Sequence, residues 1–384
     1  MRIAFFLFMI SLTMIQCTSK PVEEKTPELL NMWIGTYTKK EGHVDGQAPG
    51  IFRSKVDAQS GDLKDQFAKS GIINPSFVAV SPDDQYLYAV SETGPDVDTT
   101  GYVYAYMITD DSLKMINRQP SYAFAPCHVS VHPSGKWVFV ANYVGGVIAM
   151  YPVQETGALA MATDIQRFSG SGPNTARQEA SHPHSVFMDP KGNFLLTPDL
   201  GTDKIMIFRI DTEAGKLIPA DQPFAEAEPG SGPRHLVFYP DGKSFYVIHE
   251  LNNTIVHYRF DPATGAATRE QTISTLPSEF TGTSYCADIH LTPDARFLYG
   301  SNRGHNSIAI FSVDPLNQSL KAVGHQYTKG DFPRNFTIDP EGKHLYVANQ
   351  NSSNIVQFNI DPETGMLEET AQYRVPTPVC LVFQ

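Results

Sequence analysis

Cysteine is scarce in this chain, with four in 384 residues. Cys17 stands alone near the start, and Cys127, Cys286 and Cys380 form an odd set without paired spacing. That excludes a disulfide framework as the basis of the fold. No CxxC pair occurs, so structural zinc has no support, and no metal is expected. Positive charge is also short: 29 Lys and Arg against 41 Asp and Glu leave a formal charge of −12. A general nucleic-acid-binding surface is therefore excluded. No strand–GxxxxGK[ST]–helix pattern is present, so Gly170-Ser171-Gly172-Pro173 and Gly230-Ser231-Gly232-Pro233 read as flexible loops rather than phosphate loops. No Gly-x-Ser-x-Gly elbow occurs, which leaves a serine-hydrolase triad without a signal.

Long apolar runs are missing except at the N-terminus. Ile3 to Ile15 follows Arg2 and is too short to span a bilayer comfortably. It reads as the core of a signal peptide over residues 1–16. Cys17 at its end resembles the lipidation site of a bacterial lipoprotein signal, although Gln16 stands where a small residue is usual. Simple secretion is the alternative. Residues 17–30 then form a lipid-anchored or flexible linker. The expected location is exported, as a periplasmic or cell-envelope lipoprotein that touches membrane only through this anchor.

What the chain does have is a repeat of roughly fifty residues. Pro75 and Pro82 bracket an apolar strand, followed by a turn and Tyr86-Leu87-Tyr88-Ala89-Val90. The same seven-residue bracket recurs at Pro126/Pro133, Pro183/Pro190, Pro233/Pro240, Cys286/Pro293 and Pro333/Pro340. Successive copies start 51, 57, 50, 53 and 47 residues apart. A third strand ends in turns such as Asp261 to Gly265 and Asp361 to Gly365, which carry strong turn chemistry. This third element occurs seven times, ending near Leu63, Leu113, Leu159, Leu217, Ala267, Leu320 and Leu367, whereas the strand–turn–strand pair is intact six times. The missing pair is split between Pro378–Phe383 and Met32–Thr36. Residues 31–384 are thus expected to form one all-β, seven-bladed β-propeller whose seventh blade is closed by both termini, which removes exposed edges.

Repeat register alone assigns side chains to places on the ring. The start of the first strand lies beside the end of the second in an antiparallel hairpin, so both positions fall at one rim. That rim carries His184, Arg234 and Arg334 at strand starts and Glu250 and Arg303 at strand ends, with His128, His235, Asn335 and Asn142 next to them. Three arginines from consecutive blades suit a carboxylate or phosphate. His184 and Glu250 supply candidate acid–base groups. His182, which flanks Pro183, reads as pocket lining rather than a metal ligand.

His182-Pro183-His184-Ser185, Gly232-Pro233-Arg234-His235, His249-Glu250-Leu251-Asn252 and Phe332-Pro333-Arg334-Asn335-Phe336, set in this repeat, resemble the propeller lactonase family. That family contains bacterial propeller-type 6-phosphogluconolactonases and fungal carboxymuconate lactonising enzymes. The resemblance covers about residues 31–384 and implies chemistry on a lactone ring without a cofactor. It implies catalytic roles for His184, Arg234, Glu250 and Arg303. The substrate-binding set is His182, His235, Arg334, Asn335, His128 and Asn142. The expected function is hydrolysis of the ring ester of an anionic sugar lactone by a monomer, in the manner of a 6-phosphogluconolactonase. A carboxymuconate-type cycloisomerase and a non-catalytic anionic-ligand-binding propeller stay open. Export sets the protein apart from a cytosolic sugar-phosphate role.

Overall fold

The computed structural model describes residues 28–42, 44–110 and 112–384. Residues 1–27, and with them the expected signal peptide and Cys17, lie outside the described residues. Seven four-stranded antiparallel sheets account for nearly all the regular structure, with a small hairpin at Lys40–Glu41 and Val44–Asp45. In six blades strand order follows the chain: blade 1 (78–120), blade 2 (126–167), blade 3 (187–226), blade 4 (233–274), blade 5 (285–327) and blade 6 (333–374). The seventh takes its innermost strand, Pro378–Phe383, from the C-terminus and its other three from Leu29–Thr36, Gly50–Asp57 and Leu63–Ser70. Met32 pairs with Phe383, Trp33 with Val382 and Ile34 with Leu381.

Each blade grades from dry to wet along its strand order. In blade 6, His344–Asn349 is buried throughout, while the outer strand Leu367–Arg374 exposes alternate residues such as Glu368. A central strand covered on both faces by neighbouring blades reads as an unbroken apolar run, and an outer strand alternates. Glu368 and Glu369, like Arg269 and Glu270 in blade 4, put charge on the outer edges, which discourages edge-to-edge pairing.

The core lies between blades. One cluster joins Phe194 and Leu196 of blade 3 to Phe245 and Val247 of blade 4. The closing blade packs on both neighbours, with Met32 and Ile34 against Tyr346 of blade 6, and Trp33 and Ile51 against Leu87 of blade 1. Tyrosines of the second strands add a hydrogen bond to the next blade's outer turn: Tyr88 donates to the Gly157 carbonyl, Tyr246 to Gln318, Tyr299 to Gly365 and Tyr346 to Gly61, at 2.6–3.2 Å. Gly365, at φ +72°, ends the turn that Asp361 opens by accepting from the Glu363 and Thr364 amides. The last latch, from Tyr346 to Gly61, crosses the ring closure.

Candidate active site

The innermost strands enter the ring through a recurring irregularity. Pro126 pairs with Asn142 but His128 with Ala141; Pro233 pairs with His249 but His235 with Ile248; Pro333 pairs with Asn349 but Asn335 with Ala348. One residue in each, Cys127, Arg234 or Arg334, is left out of the ladder. Such a bulge bends the strand and re-aims a side chain. Here Cys127 and Arg334 reach the mouth of a cavity of about 410 Å³, and Arg234 a small pocket that adjoins it.

Glu250, at the end of the second strand of blade 4, is the electrostatic centre of that mouth. One carboxylate oxygen accepts from Arg177 Nη2 at 2.5 Å; the other accepts from Arg303 Nη2 at 2.8 Å and Arg234 Nε at 3.1 Å. Burial pushes the Glu250 pKa up, but the fields of Arg303, Arg177 and Arg234 outweigh it and hold the carboxyl well below its ordinary range. Arg234 is itself pulled down to about 9 by burial and by Arg303 and Arg334, and stays cationic at neutral pH. Backbone carbonyls fix two of the guanidiniums: Ala287 accepts from Arg234 Nη1 at 2.6 Å and Cys286 from Arg303 Nη2 at 2.7 Å. Arg303 also lies over the Phe332 ring at 5.1 Å.

Arg334 donates to the Tyr37 hydroxyl at 3.2 Å, and that hydroxyl donates to Glu92 Oε2 at 2.9 Å. Four guanidiniums (Arg177, Arg234, Arg303, Arg334) thus stand against two carboxylates (Glu92, Glu250) around the mouth. The chain is acidic; this spot is positive.

His184 lines the cavity as a neutral imidazole. Burial, then Arg234, His235, Arg334 and Arg303, hold its pKa well below the usual histidine value. Its Nδ1 faces Cys127 Sγ at 4.0 Å, and that thiol donates to the His184 carbonyl at 3.2 Å. Burial raises the Cys127 pKa, with Glu92 adding to the effect, so the sulfur is a thiol that packs and not a thiolate nucleophile. Tyr143 sits edge-on to His184, with centroids 5.4 Å apart.

The structure brings His184, Arg234, Glu250, Arg303 and Arg334 to one place; His235 and Asn335 line a small adjoining pocket with His184, Arg234 and Arg334, and His128, His182 and Asn142 are buried. His128, His235 and Asn335 come one residue after the bulge. Rings of Phe77, His128, Phe187 and His235, from four blades, pack with centroids 4.2–6.0 Å apart. His235 Nδ1 meets Asp288 Oδ1 at 2.8 Å, and Asn335 donates to the other oxygen of Asp288. His182 stacks on Tyr143 at 4.5 Å, and its ring nitrogens meet the Tyr143 carbonyl and Glu179. Asn142 donates to the Ser121 and Val147 carbonyls and is wholly buried. Among the described residues no group of three His, Cys, Asp or Glu side chains could hold a metal ion.

The buried histidines tie stability to pH. His235 is held down to about 4 by burial and then by Arg234, and His249 to about 3 by burial and then by Arg269. The unfolded chain takes up these protons near 6.5, before the folded one does. Their contribution is therefore complete above that value and lost as pH falls towards 4 and 3, at about 1.4 kcal/mol per pH unit for each histidine. Melting temperature should drop steadily between pH 6.5 and 4.5; a flat profile there would show that these rings are not buried neutral.

A seven-bladed propeller with an arginine-rich cavity lined from several blades is the class of molecule that this fold and site define. The chain matches, over residues 31–383, the family described as "Lactonase, 7-bladed beta-propeller", and it belongs to that family. It is 35% identical over 358 residues to the 6-phosphogluconolactonase of Bacillus subtilis, covering 91% of this chain and 97% of that one. It is 36% identical over 313 residues to the 6-phosphogluconolactonase of Formosa agariphila, covering 78% and 84%. Among solved structures, the periplasmic gluconolactonase of Pseudomonas aeruginosa superposes with a TM-score of 0.86 at 33% identity, covering 93% of this chain and 99% of that one. As a member of this family the chain is a lactonase, a hydrolase of a cyclic ester.

Proposed function

We propose that this lactonase opens the ring ester of an anionic sugar lactone at the channel mouth. The observation that carries the reading is the convergence of three guanidiniums on Glu250 beside a neutral His184, in a cavity whose volume suits a small ligand. A water molecule adds to the ring carbonyl and His184 takes its proton. Arg303 and Arg334 stabilise the oxyanion that forms. Collapse breaks the ring carbon–oxygen bond, the proton passes from His184 to the departing alkoxide, and the product acid then ionises to water. Glu250 is a weak base with its oxygens occupied by arginines, so its part is to hold those arginines in place. An incoming anion offsets the arginine field that, after burial, depresses His184. Substrate charge therefore strengthens the base. The periplasmic relative fits an exported protein anchored at Cys17, over a domain plan of signal peptide 1–16, linker 17–30 and propeller 31–384.

Purified protein assayed by acid release on gluconolactone, 6-phosphogluconolactone and carboxymuconolactone should show its highest kcat/KM on an anionic lactone. Equal or better turnover of neutral gluconolactone would overturn the charge preference. Binding of anions without acid release from any lactone would make it a binding module instead.

A further inference from the structure

The residue of the mouth that repeat register does not foresee is Arg177. It comes from no strand but from the connection between blades 2 and 3, the longest interval in the repeat at 57 residues. Of the three guanidiniums on Glu250 it is also the odd one in exposure: its side chain is 35% exposed, against 2% for Arg234 and 6% for Arg303. The Arg234 and Arg303 guanidiniums are each also bonded to a backbone carbonyl. Arg177 instead makes contacts that can be exchanged: Glu250, the Tyr143 hydroxyl at 3.4 Å and the Tyr285 ring at 5.7 Å.

The backbone beneath it is anchored. Gln178, the next residue, is wholly buried; its side chain donates to the Leu200 carbonyl and Asp203, and accepts from the Asn174 amide. Gly172 donates to the Gln178 carbonyl at 2.9 Å, and a Cβ there would come within 2.5 Å of the Gln178 side chain. This explains the glycine-rich stretch: it lets the strap close on Gln178. The main chain is latched while the long Arg177 side chain reaches from it into the mouth.

We propose that Arg177 reads the substrate's anionic group by exchanging Glu250 for it. In the free protein the Glu250 carboxylate occupies the guanidinium. When a lactone carrying phosphate or carboxylate enters, Arg177 turns from Glu250 to the substrate's oxygens, while Arg234 and Arg303 keep Glu250 ionised and in place. Glu250 is thus a built-in competitor that a neutral lactone has no means of displacing. The assignment rests on the lactonase reading above and adds to it the residue that sets substrate charge.

The test compares wild type with Arg177→Gln and Arg177→Lys on 6-phosphogluconolactone, carboxymuconolactone and neutral gluconolactone. Arg177→Gln should lower kcat/KM on the charged lactones about 10- to 100-fold more than on the neutral one, chiefly through KM, with partial recovery in Arg177→Lys. A drop confined to the phosphorylated substrate, or to the carboxylate, would identify which anion is read. Equal losses on all three would overturn the proposal and make Arg177 a structural strap. Inorganic phosphate supplies a readout free of turnover: at matched ionic strength it should raise the melting temperature of wild type and do so much less for Arg177→Gln. If no lactone is hydrolysed, the activity fails, and this phosphate difference alone decides whether Arg177 binds anions; equal shifts would refute it.

Discussion

Removal of residues 376–384 should leave a chain that no longer melts cooperatively as a monomer. The deleted strand supplies the whole inner layer of one blade, and Val379, Cys380 and Leu381 within it are buried. Fully burying a side chain of this kind contributes about 1.5–3 kcal/mol, so three of them amount to a large part of a typical stability of about 5–15 kcal/mol. The partners left behind matter as much. Gly35, Ile34, Trp33 and Met32 lose their ladder, and the Trp33 indole loses its acceptor on Gln384. An unpaired strand edge is a template for association. Val379 also packs against Tyr37, which carries Arg334 on its hydroxyl, so the mouth loses its support on that side. Light scattering and calorimetry of the truncated chain should show oligomers and a broad, low transition. A circular permutant that places residues 378–384 directly ahead of residue 29 should keep the wild-type transition. A truncated monomer with an unchanged melting temperature would mean that the ring does not depend on this closure.

Most of the ring is legible in the sequence because its punctuation is chemical. Proline opens most inner strands, a second proline enters the hairpin turn, and turns such as Asp261 to Gly265 and Asp361 to Gly365 end third strands, so the blade boundaries are announced repeatedly. The split blade is legible as a subtraction: seven outer turns, six intact hairpins, and half a hairpin at each end. The mouth is legible at Arg234, Glu250, Arg303, Arg334 and His184 for the same reason, since each lies on or next to a rung fixed by pairing such as Tyr285 with Arg303 or Pro233 with His249.

Two features escape that reasoning for physical reasons. Strict alternation would send Arg234 and His235 to opposite faces of the sheet. The bulge at Pro233 breaks alternation: Arg234 reaches Glu250, while His235 packs beside Phe77 and His128 and bonds Asp288. Nothing in the spacing of Pro-x-x separates these two surroundings. Arg177 is lost differently. It belongs to a connection, and connections carry no repeat register. The signal that points to it is the 57-residue interval, because an insertion beside a channel mouth is a natural place for function on a rigid scaffold.

Replacing Glu250 by Gln should destabilise the protein and, in the same variant, create an anion-dependent stability that wild type lacks in equal measure. The carboxylate faces three guanidiniums, two of them almost fully buried. Gln keeps the shape and removes the charge, leaving Arg234 and Arg303 as buried cations with no counter-charge within bonding distance and Arg334 close enough to repel them. Breaking a buried pair from one side costs about 3–5 kcal/mol. An external anion can stand in for the missing carboxylate, and stabilisation then grows with ligand concentration as mass action requires. Millimolar phosphate should therefore raise the melting temperature of Glu250→Gln more than that of wild type at equal ionic strength. Turnover on an anionic lactone should fall about 100-fold, because guanidiniums that drift by even 1 Å no longer meet the developing oxyanion. Added phosphate should deepen that loss while it restores the fold, since it occupies the place the substrate needs. Calorimetry and acid-release assays on one preparation read both. A variant with wild-type melting temperature and no response to phosphate would show that Glu250 does not hold the arginines of the mouth.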